Sequence, residues 1–593
     1  MKKAKRAVEH RGIELEASSH PLGRAVGRRS MLQSIATLAG CSILPALEAK
    51  GAAGQTSSKP AGENSAPPPG TANTIIRASE SNALVETNSG KVRGFTRNGI
   101  NTFLGIPYAA SPEGKARYQA PAKVTPWAGV RSSMQYGFVS PQEARAGWGN
   151  DEVAWMFDWD DGRFGEDCLR VNVWTPGVND SKKRPVMVWL HGGGFSAGSG
   201  QELKSYYGEN LSRRGDAVVV SLNHRLGVLG YLDLSQAGGS NYAHSANCGM
   251  LDIVAALEWV RDNIANFGGD PGNVMIFGQS GGGGKVNTLM AMPAAKGLFH
   301  RAAVQSGSLM NAAKPEDAGK LGAAVLKQLN LSPEQIDQIH EVPVDKLIAA
   351  GRAAVASLAQ PFSLGRTFAL PRIGWQPTQD GADLPIQPWD PTAPAQSADV
   401  PVIVGTVLNE FSTGLYDLQL PTLTDAQLLE RVKGMHGDKS AHIIEVFRSA
   451  HPKDKPGQIF SRISAAPVRQ GGITQCERKA AQKAAAAYNY WFTWQTPVLD
   501  GRPGAFHCAE LAFVFDNTDR CAPMTGGGPA PRALAANVAD AWIHFARTGD
   551  PNHSGLPHWP AFTAEQCPTM IFDTECVMKN NPDGAERKAL AES

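Results

Sequence analysis

The amino-acid sequence predicts an α/β fold with a mostly parallel central sheet flanked by helices. Five short apolar runs, mostly β-branched and bounded by turn residues, are typical of strands that are covered on both faces. They span residues 186–190, 218–222, 274–277, 302–304 and 402–404. Helical patterns lie between these runs, and such alternation favours parallel strands joined by right-handed crossovers.

The clearest helix is predicted over 249–267, where apolar residues recur at helical spacing on one face. From about residue 315 to 394 the pattern becomes helical and loop-rich, which predicts a helical cap on one side of the sheet. Further helices are predicted over 424–448 and 476–494. Within the second of these, the alanine-rich run 480–487 strongly favours a helix.

The length and net charge of the chain limit the number of domains and the kinds of partner that we expect. The chain has 593 residues, 42% of them hydrophobic, with 57 Lys+Arg against 55 Asp+Glu. This length exceeds what one hydrophobic core usually serves, so one large elaborated domain and two domains both stay open. A net charge of +2 provides no electrostatic footprint for nucleic acid, and we expect no nucleic-acid partner.

The first fifty residues resemble an export signal. Residues 1–50 hold nine Lys/Arg and four Asp/Glu, and the remaining 48 basic and 51 acidic residues give a net charge of −3. Arg28 and Arg29 precede a short apolar run, which resembles a twin-arginine signal. A lipobox-like segment ends at Cys41, so a lipidated Cys41 and an ordinary cleaved leader are alternatives. Residues 51–73, rich in Ala, Gly, Ser and Pro, predict a flexible linker.

The segment 274–284 runs from a predicted strand into a turn and matches G-x-S-x-G, with Ser280 between Gly278 and Gly282. Side chains at the glycine positions would clash in the tight turn that holds such a nucleophile. The N–H of Gly281 would then point at a developing oxyanion. A glycine-rich turn without chemistry is the alternative, but the preceding strand and following helix favour a nucleophile.

Other glycine-rich motifs nearby have weaker interpretations. The Gly-Lys pair ending at Lys285 resembles the end of a P-loop, but Val286 stands where Ser or Thr would bind magnesium. Residues 192–197 loosely fit a dinucleotide motif without the helix that should follow. This stretch better fits half of an oxyanion hole, because consecutive glycines let backbone N–H groups approach a substrate. His191, just before it, suits a structural hydrogen bond.

Many motifs in the right order resemble the type-B carboxylesterase family, which includes bacterial para-nitrobenzyl esterases and cholinesterases. They occupy residues 103–109, 166–174, 191–195, 266–271, 278–282, 305–308, 545–552 and 559–562. The resemblance runs from about residue 74 to 578. It implies a single catalytic domain with the α/β-hydrolase fold and large helical insertions, followed by a tail over 579–593.

The resemblance also implies a Ser-Glu-His triad that cleaves carboxylic esters through an acyl-enzyme on Ser280. Glu410 matches the acid, although Phe411 replaces the usual glycine after it. His507 matches the base, and no metal or organic cofactor is implied. The implied oxyanion donors are the N–H groups of Gly193, Gly194 and Gly281.

Two departures from the family pattern lead to expectations about the substrate and about cysteine pairing. Gln279 replaces the usual Glu before the nucleophile, which favours uncharged, partly apolar ester substrates. Cys168 occupies a position that is paired in family members, but Ser140 stands where its partner would be. We therefore expect Cys168 to be unpaired. Aromatic residues in the loop 140–168 either line the entrance to the site or pack the loop down.

Alternative functions use the same side chains. An amidase, thioesterase or carbamate hydrolase would need the same triad, because specificity depends on the pocket and not on the fold. A non-catalytic binding member of the family is a further alternative, which the intact Ser280, Glu410 and His507 disfavour. We expect the mature protein in the periplasm or outside the cell. Contact with a membrane is expected only if Cys41 is lipidated.

Overall fold

The computed structural model describes residues 75–143, 150–358 and 373–592. The expectations for the export signal, for Cys41 and for the linker over 51–73 lie outside the described residues. The strands are β1 Ile76–Arg77, β2 Leu84–Thr87, β3 Gly90–Arg93, β4 Phe95–Arg97, β5 Ile100–Pro107, β6 Val130–Ser132, β7 Arg170–Thr175, β8 Arg184–Leu190, β9 Val218–Leu222, β10 Gly269–Gln279, β11 Arg301–Gln305, β12 Val402–Val407, β13 Ala487–Phe492, β14 Pro568–Phe572 and β15 Val577–Asn580.

Twelve of these strands form one sheet, in the order β1-β4-β5-β7-β9-β8-β10-β11-β12-β13-β14-β15. The seven strands from β9 to β14 run parallel to one another. The strands at both margins are antiparallel. All five predicted strands lie in the parallel part as β8 to β12, so the prediction of an α/β fold with a mostly parallel sheet is confirmed. The strands β2, β3 and β6 form a separate small sheet.

Side chains of the central strands alternate between two apolar cores. Val186, Val188 and Ile276 belong to the core on one face, whereas Met187 and Phe277 belong to the core on the other face. Every residue of β8 and β9 is buried, because helices cover both faces. This explains why these strands appear in the sequence as continuous apolar runs rather than as alternating patterns.

The helices largely follow the sequence prediction. They are α1 Asp151–Phe157, α2 Glu209–Gly215, α3 Gly227–Gly230, α4 Ser235–Gly238, α5 Cys248–Asn263, α6 Gly281–Ala291, α7 Pro315–Gln328, α8 Val344–Leu358, α9 Asp425–His436, α10 Ser440–Ala450, α11 Pro456–Ala481, α12 Leu511–Val514, α13 Ala522–Thr525, α14 Pro529–Thr548 and α15 Gly584–Ala591. The prediction over 249–267 corresponds to α5 and a short 3₁₀ helix over Ile264–Phe267. In the predicted cap, α7 and α8 share an apolar cluster with α3 and α4.

Two helix predictions need correction. The predicted helix over 424–448 is two helices, α9 and α10, because the chain turns at Gly437 with a φ of 58°. The predicted helix over 476–494 is confirmed only up to Ala481, where α11 ends, and it is wrong beyond that point, because β13 begins at Ala487. The aromatic run after Ala487 favours a strand, and β13 pairs with β12 and β14 in the parallel part of the sheet. This tertiary pairing overrides the local preference of the alanines for a helix.

The cysteines of the described chain are free, as expected for Cys168. Cys168 is buried, and burial raises the pKa of its thiol to about 12. Cys567 and Cys576, which lie near each other in the sequence, are also free. Within the described ranges, every helix is too short or too polar to cross a lipid bilayer.

Candidate active site

Ser280 lies at the sharp turn between β10 and α6. Its backbone has φ 57° and ψ −125°, a strained conformation for a residue that carries a side chain. A Cβ on Gly278 would lie 2.5 Å from the carbonyl carbon of Gly282. A Cβ on Gly282 would lie 2.0 Å from the carbonyl oxygen of Leu190. The glycines of the G-x-S-x-G motif are therefore required by close backbone contacts, and Ser280 itself is partly exposed.

His507 and Glu410 form a buried pair although 97 residues separate them in the chain. His507 Nδ1 lies 2.5 Å from Glu410 Oε2, and only 3% of His507 and 2% of Glu410 are exposed. The backbone N–H of His507 also donates to the carbonyl oxygen of Glu410, at 2.9 Å. Because Nδ1 faces a carboxylate, the network assigns the proton to Nδ1 and leaves Nε2 as an acceptor.

Glu410 is held in a fixed orientation. Its Oε1 accepts hydrogen bonds from Ser306 Oγ, at 2.8 Å, and from the backbone N–H of Val407, at 3.1 Å. The backbone of Glu410 is left-handed, with a φ of 49°. Phe411 stacks on the imidazole of His507, with ring centroids 3.9 Å apart and planes 29° apart. The phenylalanine in place of the usual glycine is therefore compatible with the contact between Glu410 and His507.

Gln279 occupies the other side of the imidazole. Its Nε2 lies 3.0 Å from His507 Nε2, and its Oε1 accepts a hydrogen bond from Cys508 Sγ, at 3.0 Å. The thiol thus orients the amide so that its NH₂ group faces His507. Among the hydrogen bonds of the described residues, none joins the Ser280 hydroxyl to His507.

The glycine loop after β8 lies against the start of α6. A Cβ on Gly281 would lie 2.2 Å from the carbonyl oxygen of Gly194, and a Cβ on Gly192 would lie 3.5 Å from the Ser280 Cβ. No residue in the described part of the chain accepts a hydrogen bond from the N–H of Gly193 or Gly194. The N–H of Gly281, at the start of α6, has no intrahelical acceptor. The three predicted oxyanion donors therefore lie beside Ser280 and are not engaged by other parts of the described chain.

The model of the carboxylesterase family matches residues 81–589. The chain belongs to the carboxylesterase family. It is 35% identical over 512 residues to the para-nitrobenzyl esterase of Bacillus subtilis, a match that covers 86% of this chain and 98% of that one. It is 32% identical over 501 residues to the phenmedipham hydrolase of Pseudarthrobacter oxydans, with coverages of 83% and 95%.

Solved structures agree with this assignment. An esterase from Clostridium hathewayi that can hydrolyze aliphatic aromatic polyesters superposes with a TM-score of 0.75 at 37% identity, covering 88% of this chain and 99% of that one. A carboxylesterase of Geobacillus stearothermophilus gives a TM-score of 0.71 at 34% identity, with coverages of 86% and 99%. This carboxylesterase therefore has the α/β-hydrolase fold and is a serine hydrolase of carboxylic esters.

Buried ionisable groups surround the site of this carboxylesterase. Burial raises the pKa of Glu510 to about 8, and Gln305 Nε2 donates to its Oε1 at 3.2 Å. Burial also raises the pKa of Glu202 to about 8, and it lowers the pKa of Lys285 to about 7. At neutral pH the region around Ser280 and His507 therefore carries less charge than its residue types suggest.

The sequence assigned no role to Ser306 or Lys285, although both lie at this site. Ser306 directly follows β11, so its position at the carboxyl edge of a parallel sheet was the available signal. In the sequence, Lys285 belongs only to a weak resemblance to a P-loop, and nothing in a sequence reveals that a lysine is fully buried. His191 donates from Nδ1 to the carbonyl oxygen of Gly192, as expected for a structural role.

The aromatic loop packs down in part. Phe157 is buried and meets Phe506 edge to face, with ring centroids 5.6 Å apart. Trp155 is 53% exposed, and Trp148 lies outside the described residues. Phe157 therefore packs against the residue that precedes His507. This favours the packing role for Phe157 over a role in lining the entrance to the site.

Proposed function

We propose that this carboxylesterase cleaves its esters with Ser280 as nucleophile, His507 as general base and Glu410 as the acid that orients His507. The observation that carries this proposal is the buried contact between His507 Nδ1 and Glu410 Oε2, beside a serine on a strained strand-to-helix turn. A free hydroxyl is a weak nucleophile, and a neighbouring imidazole with a fixed tautomer activates it.

The reaction begins when Nε2 of His507 exchanges the amide of Gln279 for the hydroxyl of Ser280. The hydroxyl gives its proton to Nε2 as Oγ attacks the ester carbonyl carbon, and the negative charge moves to the carbonyl oxygen. His507 then protonates the leaving alcohol. Water, deprotonated by His507, attacks the acyl-enzyme, and His507 returns that proton to Ser280 Oγ as the bond to the acyl group breaks and the acid is released. Glu410 stabilises the imidazolium in both halves of the reaction.

The N–H groups of Gly193, Gly194 and Gly281 would stabilise the tetrahedral oxyanion. Each is directed by backbone geometry that already exists before substrate binds, so no reorganisation is needed during the reaction. Removal of one such donor in a comparable enzyme costs about 2.7–4 kcal/mol of transition-state stabilisation.

The substrates are proposed to be uncharged, partly apolar carboxylic esters. Gln279 supplies no negative charge beside His507, and the ring of Phe411, which contacts Tyr416, presents apolar surface next to the imidazole. Turnover of acetylcholine should be compared with turnover of its neutral isostere, 3,3-dimethylbutyl acetate. Preference for the neutral ester supports the proposal, and preference for the cation contradicts it.

The roles of the triad are tested by labelling and by burst kinetics. The wild-type protein should release about one equivalent of nitrophenol rapidly from a p-nitrophenyl ester, and a fluorophosphonate should label Ser280 in peptide mass spectrometry. Ser280→Ala should abolish both signals, whereas Ser449→Ala, at an exposed position on α10, should change neither. Persistent labelling or hydrolysis in Ser280→Ala would refute the assignment.

We also propose that the chain is exported by its twin-arginine-like signal. The paired Arg28 and Arg29 before a short apolar run support this proposal. Mass spectrometry of the mature N-terminus in the native host distinguishes a cleaved leader, a lipidated Cys41 and an intact chain. An intact N-terminus on the cytoplasmic protein would contradict export.

A further inference from the structure

Lys285 lies fully buried against the glycine loop after β8, the loop that carries Gly193 and Gly194 and is called the oxyanion loop below. It is five residues after Ser280 on α6, and none of its surface is exposed. Its Nζ donates to the carbonyl oxygen of His191 at 2.8 Å and lies 3.4 Å from that of Gly192. Taking an ammonium group out of water costs several kcal/mol unless partners compensate, so these contacts and its surroundings decide whether the lysine can stay there.

The carbonyl oxygen of Gly192 has a second buried donor. His191 Nδ1 lies 3.0 Å from it, so two side-chain donors hold one carbonyl oxygen. In a planar trans peptide the carbonyl and the following N–H point in opposite directions. Fixing the carbonyl of Gly192 therefore fixes the direction of the N–H of Gly193, which is one of the proposed oxyanion donors.

The next peptide is held in the same way. The carbonyl oxygen of Gly193 accepts from the backbone N–H groups of Ser196, at 3.3 Å, and Ala197, at 3.1 Å. This bond arrangement fixes the direction of the N–H of Gly194. Backbone groups alone hold this second peptide, whereas the first one depends on side chains, and Lys285 is the only charged group among its donors in the described chain.

We propose that Lys285 is a positioning residue for the oxyanion hole, which aims and polarises the N–H of Gly193 through the peptide group of Gly192 and Gly193. The proposal rests on the proposed function, because it assigns a cause to the geometry of the oxyanion donors. When Lys285 is protonated, its positive charge near the carbonyl oxygen draws electron density through the peptide and makes the N–H a stronger donor to an anion.

The groups that face Lys285 come from several elements. Burial lowers the pKa of Lys285, and Glu202, buried in the chain after the glycine loop, opposes that shift when it is ionised. The rings of His191 and His224, which follow β8 and β9, stack with centroids 5.0 Å apart. Burial and the charge of Lys285 keep the pKa of both imidazoles well below the ordinary value, so they are neutral. Phe195 presents its ring 5.9 Å from Nζ.

The test compares Lys285→Met with Lys479→Met. Methionine keeps most of the volume and removes both the charge and the donors. Lys479 is a matched control, because it is also fully buried and donates to two carbonyl oxygens, those of Ser397 and Ala398. These carbonyls lie before the amino end of β12, whereas the active site lies at the carboxyl ends of the strands.

Three quantities are measured: kcat and KM for p-nitrophenyl butyrate, Ki for a trifluoromethyl ketone that forms an oxyanion on Ser280, and the melting temperature. For Lys285→Met we expect kcat to fall about 10- to 100-fold, less than the 10²–10³ of a donor removed outright. Ki should rise by a similar factor, while KM changes less than about threefold. Lys479→Met should lower only the melting temperature.

The double variant Lys285→Met, Glu202→Gln guards against misfolding, because it leaves no buried carboxyl group that could ionise without Lys285 nearby. It should show the same changes in kcat and Ki. Wild-type kcat and Ki in a folded Lys285→Met or double variant would overturn the proposal and leave a purely structural lysine. An unchanged Lys285→Met together with an inactive Ser280→Ala would overturn this inference alone. Activity in Ser280→Ala would overturn the proposed function and the inference with it.

Discussion

Gly282→Ala should inactivate the enzyme by moving the end of β8 away from α6. In the structure, a Cβ on Gly282 would lie 2.0 Å from the carbonyl oxygen of Leu190 and 2.9 Å from that of His191. Contacts of Cβ atoms below 3.0 Å are essentially never observed. Leu190 ends β8 and directly precedes the loop that carries the proposed oxyanion donors. The substitution therefore acts on the oxyanion hole through the backbone, without touching the triad.

The size of the effect follows from the displacement. The Leu190 carbonyl must move by about 1 Å or more to relieve the contact, and the donors that follow it must move with it. A misplacement of about 1 Å in an active site can cost 10²-fold in rate, which corresponds to about 2.7 kcal/mol of the barrier. Overpacking of this kind also costs typically 1–3 kcal/mol of stability. The better helix propensity of alanine, about 1 kcal/mol, offsets part of that loss.

Gly284→Ala provides the matched control on the same helix. The atoms nearest to its Cβ would belong to side chains, Phe195 Cζ at 3.3 Å and Leu309 Cβ at 3.5 Å. The assay measures kcat and KM for p-nitrophenyl butyrate together with thermal unfolding, so that a loss of folded protein is separated from a loss of rate. Full kcat in a folded Gly282→Ala variant would refute the reasoning. An equal loss in both variants would show that α6 tolerates no added methyl group and that the contact with Leu190 has no special weight.

Three further predictions concern groups around the imidazole. Ser306→Ala should lower kcat with little change in KM, because Glu410 loses a hydrogen bond to its charged form, worth about 1.5–3 kcal/mol; an unchanged kcat would contradict this. Gln279→Glu should move the acid limb of the pH–rate profile to higher pH, since a carboxylate facing Nε2 of His507 favours the imidazolium; superimposable profiles would exclude the effect. In the wild type, the pKa of Glu510 is raised to about 8 in the folded state, so its contribution to the free energy of unfolding is lost as the pH rises from about 4.5 through 8. Glu510→Gln should remove this decline. Parallel curves of unfolding free energy against pH for the variant and the wild type would argue against the prediction.

The central sheet could be predicted because its physical cause is local. Strands buried on both faces need continuous apolar, β-branched runs, and β8 to β12 have them. The prediction fails at β13, where the alanines before Tyr488 favour a helix and the decisive fact is the pairing with β12 and β14. Pairing partners from distant parts of the chain leave no periodic signal in a local window.

The active-site residues also differ in whether a local sequence signal or long-range packing identifies them. Ser280 is visible in the sequence because its turn imposes glycines at fixed spacing. Glu410 and His507 carry no such local signature, and only the family resemblance selected them before the structure placed them in contact. Lys285 has neither signal: its local context suggested a P-loop, and its contacts with the oxyanion loop arise from the packing of α6 against the end of β8. Residues that act through a peptide group some 90 positions away, as Lys285 is proposed to do, are thus the ones that a single sequence hides. They are also where substitution experiments add most to what sequence motifs already indicate.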